Sequence, residues 1–181
     1  MPSPSRKKAK RTSTRKPAAA KAKVKTRSGG RRLYTLDVFL IGGPMSDEFH
    51  GKAISRTIQI YGDQTLAVLH RAIFTAFDRE EEHLYEFQLG KGPMDPKGPR
   101  YTPRGVVGTD EHDAVTGHTE DTKLDDLKLK VDRAFGYWFD FGDDWMHQIN
   151  VVSIEYAPAK GRYPKVTARV GESPPQYPDL E

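Results

Sequence analysis

Large apolar side chains are nearly absent from the first 32 residues, where Met1 and Val24 stand alone, and they crowd the chain from Leu33 onward. Leu33 to Ile41, LYTLDVFLI, is apolar on both faces apart from Thr35 and Asp37, the pattern of a central strand. Ile54, Ile58 and Ile60 then alternate with Ser55, Thr57 and Gln59, which predicts a half-buried strand with Arg56 on its inward phase. Between these two runs, GGPMSDEFHGK has the turn residues of a long connection. Leu66, Leu69, Ile73 and Phe77 recur at three- and four-residue spacing behind Asp63, so a helix is expected over 64–77 with Asp63 as its N-cap. In Leu84 to Leu89, Tyr85, Phe87 and Leu89 alternate with Glu86 and Gln88, a third strand. Residues 91–121 are rich in Gly, Pro, Asp and His without a period, as in a functional or mobile loop. After a short TKLDDL turn, Ala134 to Phe141 and Trp145 to Tyr156 predict a β-hairpin. Its centre, FGYWFDFGDDWMH from Phe135 to His147, gathers six aromatics, three aspartates and a histidine around one Gly turn. The C-terminal YPKVTARVGESPPQYPDLE returns to Pro-rich loop with at most one short strand.

At 181 residues the chain has room for one domain with a core of ordinary size. No apolar run approaches the length of a membrane span, and residues 1–32 lack the apolar stretch of a signal peptide. The absence of Cys removes disulfides, thiolate chemistry and zinc-cysteine sites together. A cytoplasmic protein without membrane contact is the expectation.

The net charge of +4 hides a division. Thirteen cations and no Asp or Glu fall in residues 1–32, namely Arg6, Lys7, Lys8, Lys10, Arg11, Arg15, Lys16, Lys21, Lys23, Lys25, Arg27, Arg31 and Arg32. Residues 33–181 hold 16 basic and 25 acidic side chains, a net charge of −9. The arm has too little to bury to offset the entropy of ordering, so it is expected to be disordered when free. KKAKR and KPAAAKAKVK resemble the Lys-, Ala- and Pro-rich tails of linker-histone-like proteins, which bind polyanions by releasing condensed counterions. No aromatic interleaves these cations, so neither base stacking nor sequence reading is implied. The other readings are a solubilising tail, a tail docked on the acidic body, a transit peptide and, for RKKAKR, a nuclear address.

Several constellations admit chemistry. Asp140-Phe141-Gly142 spells the metal tripeptide of kinases, but no Gly-rich phosphate loop or catalytic-loop motif precedes it. Asp140, Asp143, Asp144 and His147 offer oxygen and imidazole ligands for a divalent metal, with His83 or Glu172 to complete the shell. Against this, the aspartates suit backbone hydrogen bonding in a turn, and Trp145 and His147 suit packing on a sheet face. His70 follows core Leu69 and reads as a satisfied boundary histidine. Arg56, if buried, needs a carboxylate partner, which Asp140 or Asp143 would supply. Arg56, His83, Asp140, Asp143 and His147 are therefore expected to converge as one polar cluster. In TDEHDAVTGHTED, Asp110, Glu111, His112, Asp113 and His118 form a second candidate metal set, for which a solvated acidic loop is the simpler account.

The body also resembles a known family. Ile54, Arg56 and Ile58 match an I-x-R-x-I strand; Leu66, Leu69 and His70 match a helical L-x-x-L-H; and His83, Leu84, Tyr85 and Phe87 match H-L-Y-x-F. Tyr137, Phe139, Asp140, Phe141, Gly142, Asp143, Trp145 and His147 match the Y-x-F/Y-D-F-G-D-x-W-x-H hairpin. In these motifs residues 33–180 resemble the plasmid pRiA4b ORF-3-like family, also labelled insertion-element passenger TnpR proteins. The resemblance implies a single α+β domain at 33–181, with a mixed, mostly antiparallel sheet packed on one main helix, behind the basic arm. It implies no settled activity. The family's Pro-Pro is usually followed by Glu-Asp, whereas this chain reads Pro174-Pro175-Gln176-Tyr177 and lacks those carboxylates. A resolvase needs a nucleophilic Ser set among Arg in a folded domain, which this pattern does not offer. Two classes remain: a binding or adaptor module whose body engages protein or peptide while the arm holds nucleic acid, and a small metal-dependent hydrolase that activates a water at the Asp/His cluster.

Overall fold

The computed structural model describes residues 30–106, 115–157 and 161–179. Its strands are β1 Arg31–Gly42, β2 Ser55–Tyr61, β3 Tyr85–Gln88, β4 Arg100–Thr102, β5 Gly117–His118, β6 Ala134–Phe139, β7 Trp145–Ala157 and β8 Lys165–Val170. They form one sheet in the order β5-β4-β3-β6-β7-β1-β2-β8. All neighbours run antiparallel except β4 and β5. The helix α1, Leu66–Ala76, packs on one face, which gives the α+β architecture that the family resemblance implies.

Helical spacing puts Leu66, Leu69, Ile73 and Ala76 on one buried stripe. That stripe shares a core with Tyr34, Leu36 and Val38 of β1, Ile58 and Ile60 of β2, Phe135, Tyr137 and Phe139 of β6, and Trp145 and Ile149 of β7. Alternation along each strand selects these side chains for the helix-covered face. β1 is an interior strand, with Leu36 opposite Ile58 on one side and Val151 on the other.

The structure corrects four local expectations. The helix is capped by Thr65, whose side chain accepts from the Val68 amide, because Asp63 is drawn away to pair with Arg31. β3 is buried on both faces, with Glu86 and Gln88 as inaccessible as Tyr85 and Phe87. The cover is the 90–99 loop, which lies so close to β6 that a Cβ at Gly136 would run into the Pro93 carbonyl. Residues 91–121 contribute the short edge strand β5 and its neighbour β4, so the stretch is not all loop. Finally, Arg31 and Arg32 belong to β1 and not to the arm: Arg31 pairs with Asp63, and Arg32 Nε lies 3.1 Å from Asp125. The remaining arm cations lie outside the described residues. Among the described residues no helix is long and apolar enough to cross a membrane.

Candidate functional site

The hairpin between β6 and β7 turns through Asp140, Phe141, Gly142, Asp143 and Asp144. Asp140 and Asp144 both take φ of 57°, a left-handed conformation that Asp tolerates better than most residues. Asp140 Oδ1 accepts from the amides of Gly142 at 3.1 Å and Asp143 at 3.4 Å, while its carbonyl accepts from Asp144 N at 2.8 Å. Asp144 Oδ1 accepts from Trp138 Nε1 at 3.0 Å. These carboxylates close the turn, as Asp does where the backbone offers free N–H groups. His147, two residues into β7 on the core face, is enclosed by aromatic rings, with Phe77 at 4.8 Å and Tyr137 at 5.3 Å between centroids. Among the described residues neither of its ring nitrogens closes a well-formed hydrogen bond.

The four candidate metal ligands of the hairpin therefore do not converge. Asp140 and Asp144 are occupied by turn and indole donors, and His147 points into the core. Among the described residues no three His, Asp or Glu side chains gather closely enough to share an ion. Glu172 is exposed and belongs to no such group. Of the second set, Asp110, Glu111, His112 and Asp113 lie outside the described residues, and only His118, in β5, is placed.

Arg56 is buried as its phase predicts, but its expected carboxylate partner is replaced by carbonyls. Nε donates to Ala76 O at 2.7 Å, Nη1 to the carbonyls of Ser55, Val170 and Gly171, and Nη2 to Ser173 Oγ at 2.7 Å. The nearest acid in this network is Asp78, which accepts from Ser173 Oγ at 2.9 Å and from Arg169. Neither Asp140 nor Asp143 takes part. Arg56 thus ties the C-terminal end of α1 to the segment after β8.

Of the expected polar cluster, His83 and Asp140 do meet, with His83 Nε2 3.6 Å from Asp140 Oδ2. The same nitrogen lies 2.7 Å from the Tyr177 hydroxyl, which donates to Glu81 Oε2 at 3.2 Å. Gln176 explains the departure from Glu-Asp. Its Oε1 accepts from the amides of Glu80 and Glu81, and its Nε2 donates to Glu81 O at 2.9 Å. A Glu at this position would keep the two acceptor bonds and lose the donor. Burial, followed by the bond to Glu81, raises the Tyr177 pKa, so the hydroxyl keeps its proton at neutral pH and is no ready nucleophile.

Arg79, which patterning does not single out, and His70 complete this end of the molecule. Arg79 is 7% exposed and stacks 3.6 Å above the Trp145 ring, donating to Pro174 O at 3.2 Å, and burial lowers its pKa to about 10. Nothing in the surrounding DREEEH run marks it. His70 Nδ1 lies 2.8 Å from the Tyr137 hydroxyl and Nε2 3.0 Å from Glu82 Oε2, with its ring stacked on Tyr85 at 3.6 Å. This is the satisfied histidine that its place beside Leu69 suggests. Tyr137, fully enclosed, has its pKa pushed well above the ordinary value by burial.

These histidines are expected to make stability pH-dependent. Burial first, and then the Arg79 charge, lower the His147 pKa to about 3, while the backbone of Tyr137 and Trp145 pulls weakly the other way. Burial also lowers that of His70, against the upward pull of Glu82. The folded state keeps His147 neutral where the unfolded chain binds a proton. Its contribution is therefore intact above about pH 6.5 and is lost as pH falls towards 3. His147 alone is expected to remove about 2 kcal/mol of stability between about pH 8 and pH 5, with His70 acting in the same direction. Urea unfolding at the two pH values measures this. Equal midpoints would refute it, and His147→Leu should flatten the dependence.

The fold and this end of the molecule define a class: a single-helix α+β domain whose polar hairpin is spent on turns, straps and core packing. The chain belongs to the plasmid pRiA4b ORF-3-like protein family, whose sequence model matches residues 47–177. A crystal structure of a protein of unknown function from Methanosarcina mazei Go1 is similar, with a TM-score of 0.63 at 25% identity over 83% of this chain and 76% of that one. Among curated proteins none matches.

Proposed function

We propose that the protein is a binding module in which the basic arm contacts nucleic acid and the folded body engages a protein or peptide. The observation that carries this reading is the segregation of charge: no acid interrupts residues 1–32, and residues 33–181 carry a net −9. The plasmid origin in the family's name fits a role beside mobile DNA. For the body, β8 supports the reading as a strand that, among the described residues, lies outermost and pairs on one edge only, with Val170 51% exposed. The hairpin acids, engaged by turn amides and Trp138, favour binding over metal-dependent hydrolysis.

The arm is tested by gel shift of a labelled oligonucleotide. The full chain should bind and lose about 10³- to 10⁵-fold in affinity between about 50 and 200 mM salt if it engages about 6–10 phosphates. A chain that starts at Gly30, which keeps Arg31 and Arg32 in β1, should bind far more weakly. Equal affinity of the two would end the arm reading.

A further inference from the structure

The acidic body is itself polar along β6. Asp140, Asp143 and Asp144 follow this strand, with Glu80, Glu81 and Glu82 beside them, whereas Arg133 precedes it. Six residues at about 3.3 Å each separate the two poles by about 20 Å. At the Arg133 pole two adjoining hollows of about 290 and 550 Å³ share Leu89, Pro99 and Arg133. Lys128 and Lys130 flank one and Lys91 and Lys97 the other. All four lysines are exposed, and none closes an ion pair with a carboxylate among the described residues.

The acids nearby are turned to structural work. Asp95 accepts from the amides of Lys91 at 2.8 Å and Lys97 at 3.0 Å, and Asp126 accepts from the Lys123 amide at 3.0 Å. The walls are also built firmly. A Cβ at Gly98 would strike the Gly90 backbone, Leu89 N donates to Pro99 O at 2.8 Å, and Arg133 Nη2 bonds the carbonyls of Leu89 and Gly90. The floor is Leu89, Leu127 and the half-buried Tyr101.

The groove is continuous with the root of the arm. Arg32 pairs with Asp125 at 3.1 Å, and Tyr34 donates to the same carboxylate at 2.9 Å, so the start of β1 is pinned to the turn whose next residues, Asp126 to Lys130, form the groove wall.

We propose that this groove, rimmed by Lys91, Lys97, Lys128, Lys130 and Arg133, is a second nucleic-acid contact that holds backbone phosphates of the strand gripped by the arm. The inference rests on the arm reading, since the arm supplies the strand at high local concentration beside the groove. The acidic pole repels the same polyanion and sets the direction in which it lies.

Fluorescence anisotropy with labelled single-stranded DNA and RNA of about 30 nucleotides tests it on three full-length chains: wild type, K91Q/K97Q/K128Q/K130Q, and a chain with the eleven cations of residues 6–27 changed to Gln. The replaced lysines are exposed, so equal thermal melts verify the fold. The groove variant should bind at least about tenfold more weakly at about 0.1 M salt, with the salt slope reduced by about 0.7 for each lysine that holds a phosphate. An unchanged affinity and slope overturn the groove, whatever the arm does. An arm variant that binds like wild type instead overturns the arm reading, and the groove variant still reads the groove separately. Competition by polyglutamate as effective as by oligonucleotide would assign the groove to acidic peptides and overturn the proposal.

Discussion

Replacing Trp145 by alanine should lower the unfolding free energy by about 3–5 kcal/mol, whereas Asp143→Ala, two positions earlier in the same hairpin, should change it by no more than about 0.5 kcal/mol. Trp145 is fully buried among the core side chains, and its removal leaves a cavity that the surrounding sheet can fill only in part. It also strips the ring from under Arg79, whose guanidinium has Nε and Nη2 without hydrogen-bond partners and depends on that face for its setting. Asp143 lends its amide to Asp140 and is replaceable there by any residue that keeps the N–H. Urea unfolding of both variants decides the point. A Trp145→Ala protein within about 1 kcal/mol of wild type, or an Asp143→Ala protein as damaged as Trp145→Ala, would mean that the hairpin's acids and not its aromatics hold the domain together.

Arg56→Met should cost about 3 kcal/mol and free the chain after β8. Methionine fills the volume beside Phe77 but leaves the part-buried carbonyls of Val170 and Gly171 and the Ser173 hydroxyl without their charged donor, and the loss of these several bonds adds up. Ala76 O keeps a second donor in Arg169, so the loss falls mainly on the C-terminal side. Arg56→Lys should not restore it, since an ammonium group cannot span Ala76 O and Ser173 Oγ as the guanidinium does. Limited proteolysis should then cut first within 171–179. A variant that resists protease like wild type and unfolds within about 1 kcal/mol of it would show that the strap is held by Gln176 and Arg79 alone.

The same residues show why the site was only half legible. Arg56 announces itself as inward by strand phase, and a lone buried cation calls for a carboxylate. Its partners are main-chain carbonyls brought from 114 and 115 residues away, which no local pattern encodes. Asp63 looks like a helix cap until Arg31, 32 positions earlier, takes it. Glu86 and Gln88 alternate as a solvent face would, yet the 90–99 loop folds back over them and Arg100 pairs with Glu86. Gln176 reads as the loss of a family carboxylate and proves to be an amide whose donor and acceptor are both used.

By itself the sequence determined the period-2 strands, the single amphipathic helix, the aromatic hairpin and the division of charge between arm and body, because side-chain periodicity and composition are local quantities. Tertiary structure alone decided which polar groups meet. It turned the hairpin acids inward on their own turn, gave Arg56 to backbone carbonyls, buried Arg79 against Trp145, and gathered four lysines from two distant segments around one groove beside the root of the arm. Such pairings depend on loop closure and strand order, and their energies are set by burial that exists only once the sheet and its covering loops have come together.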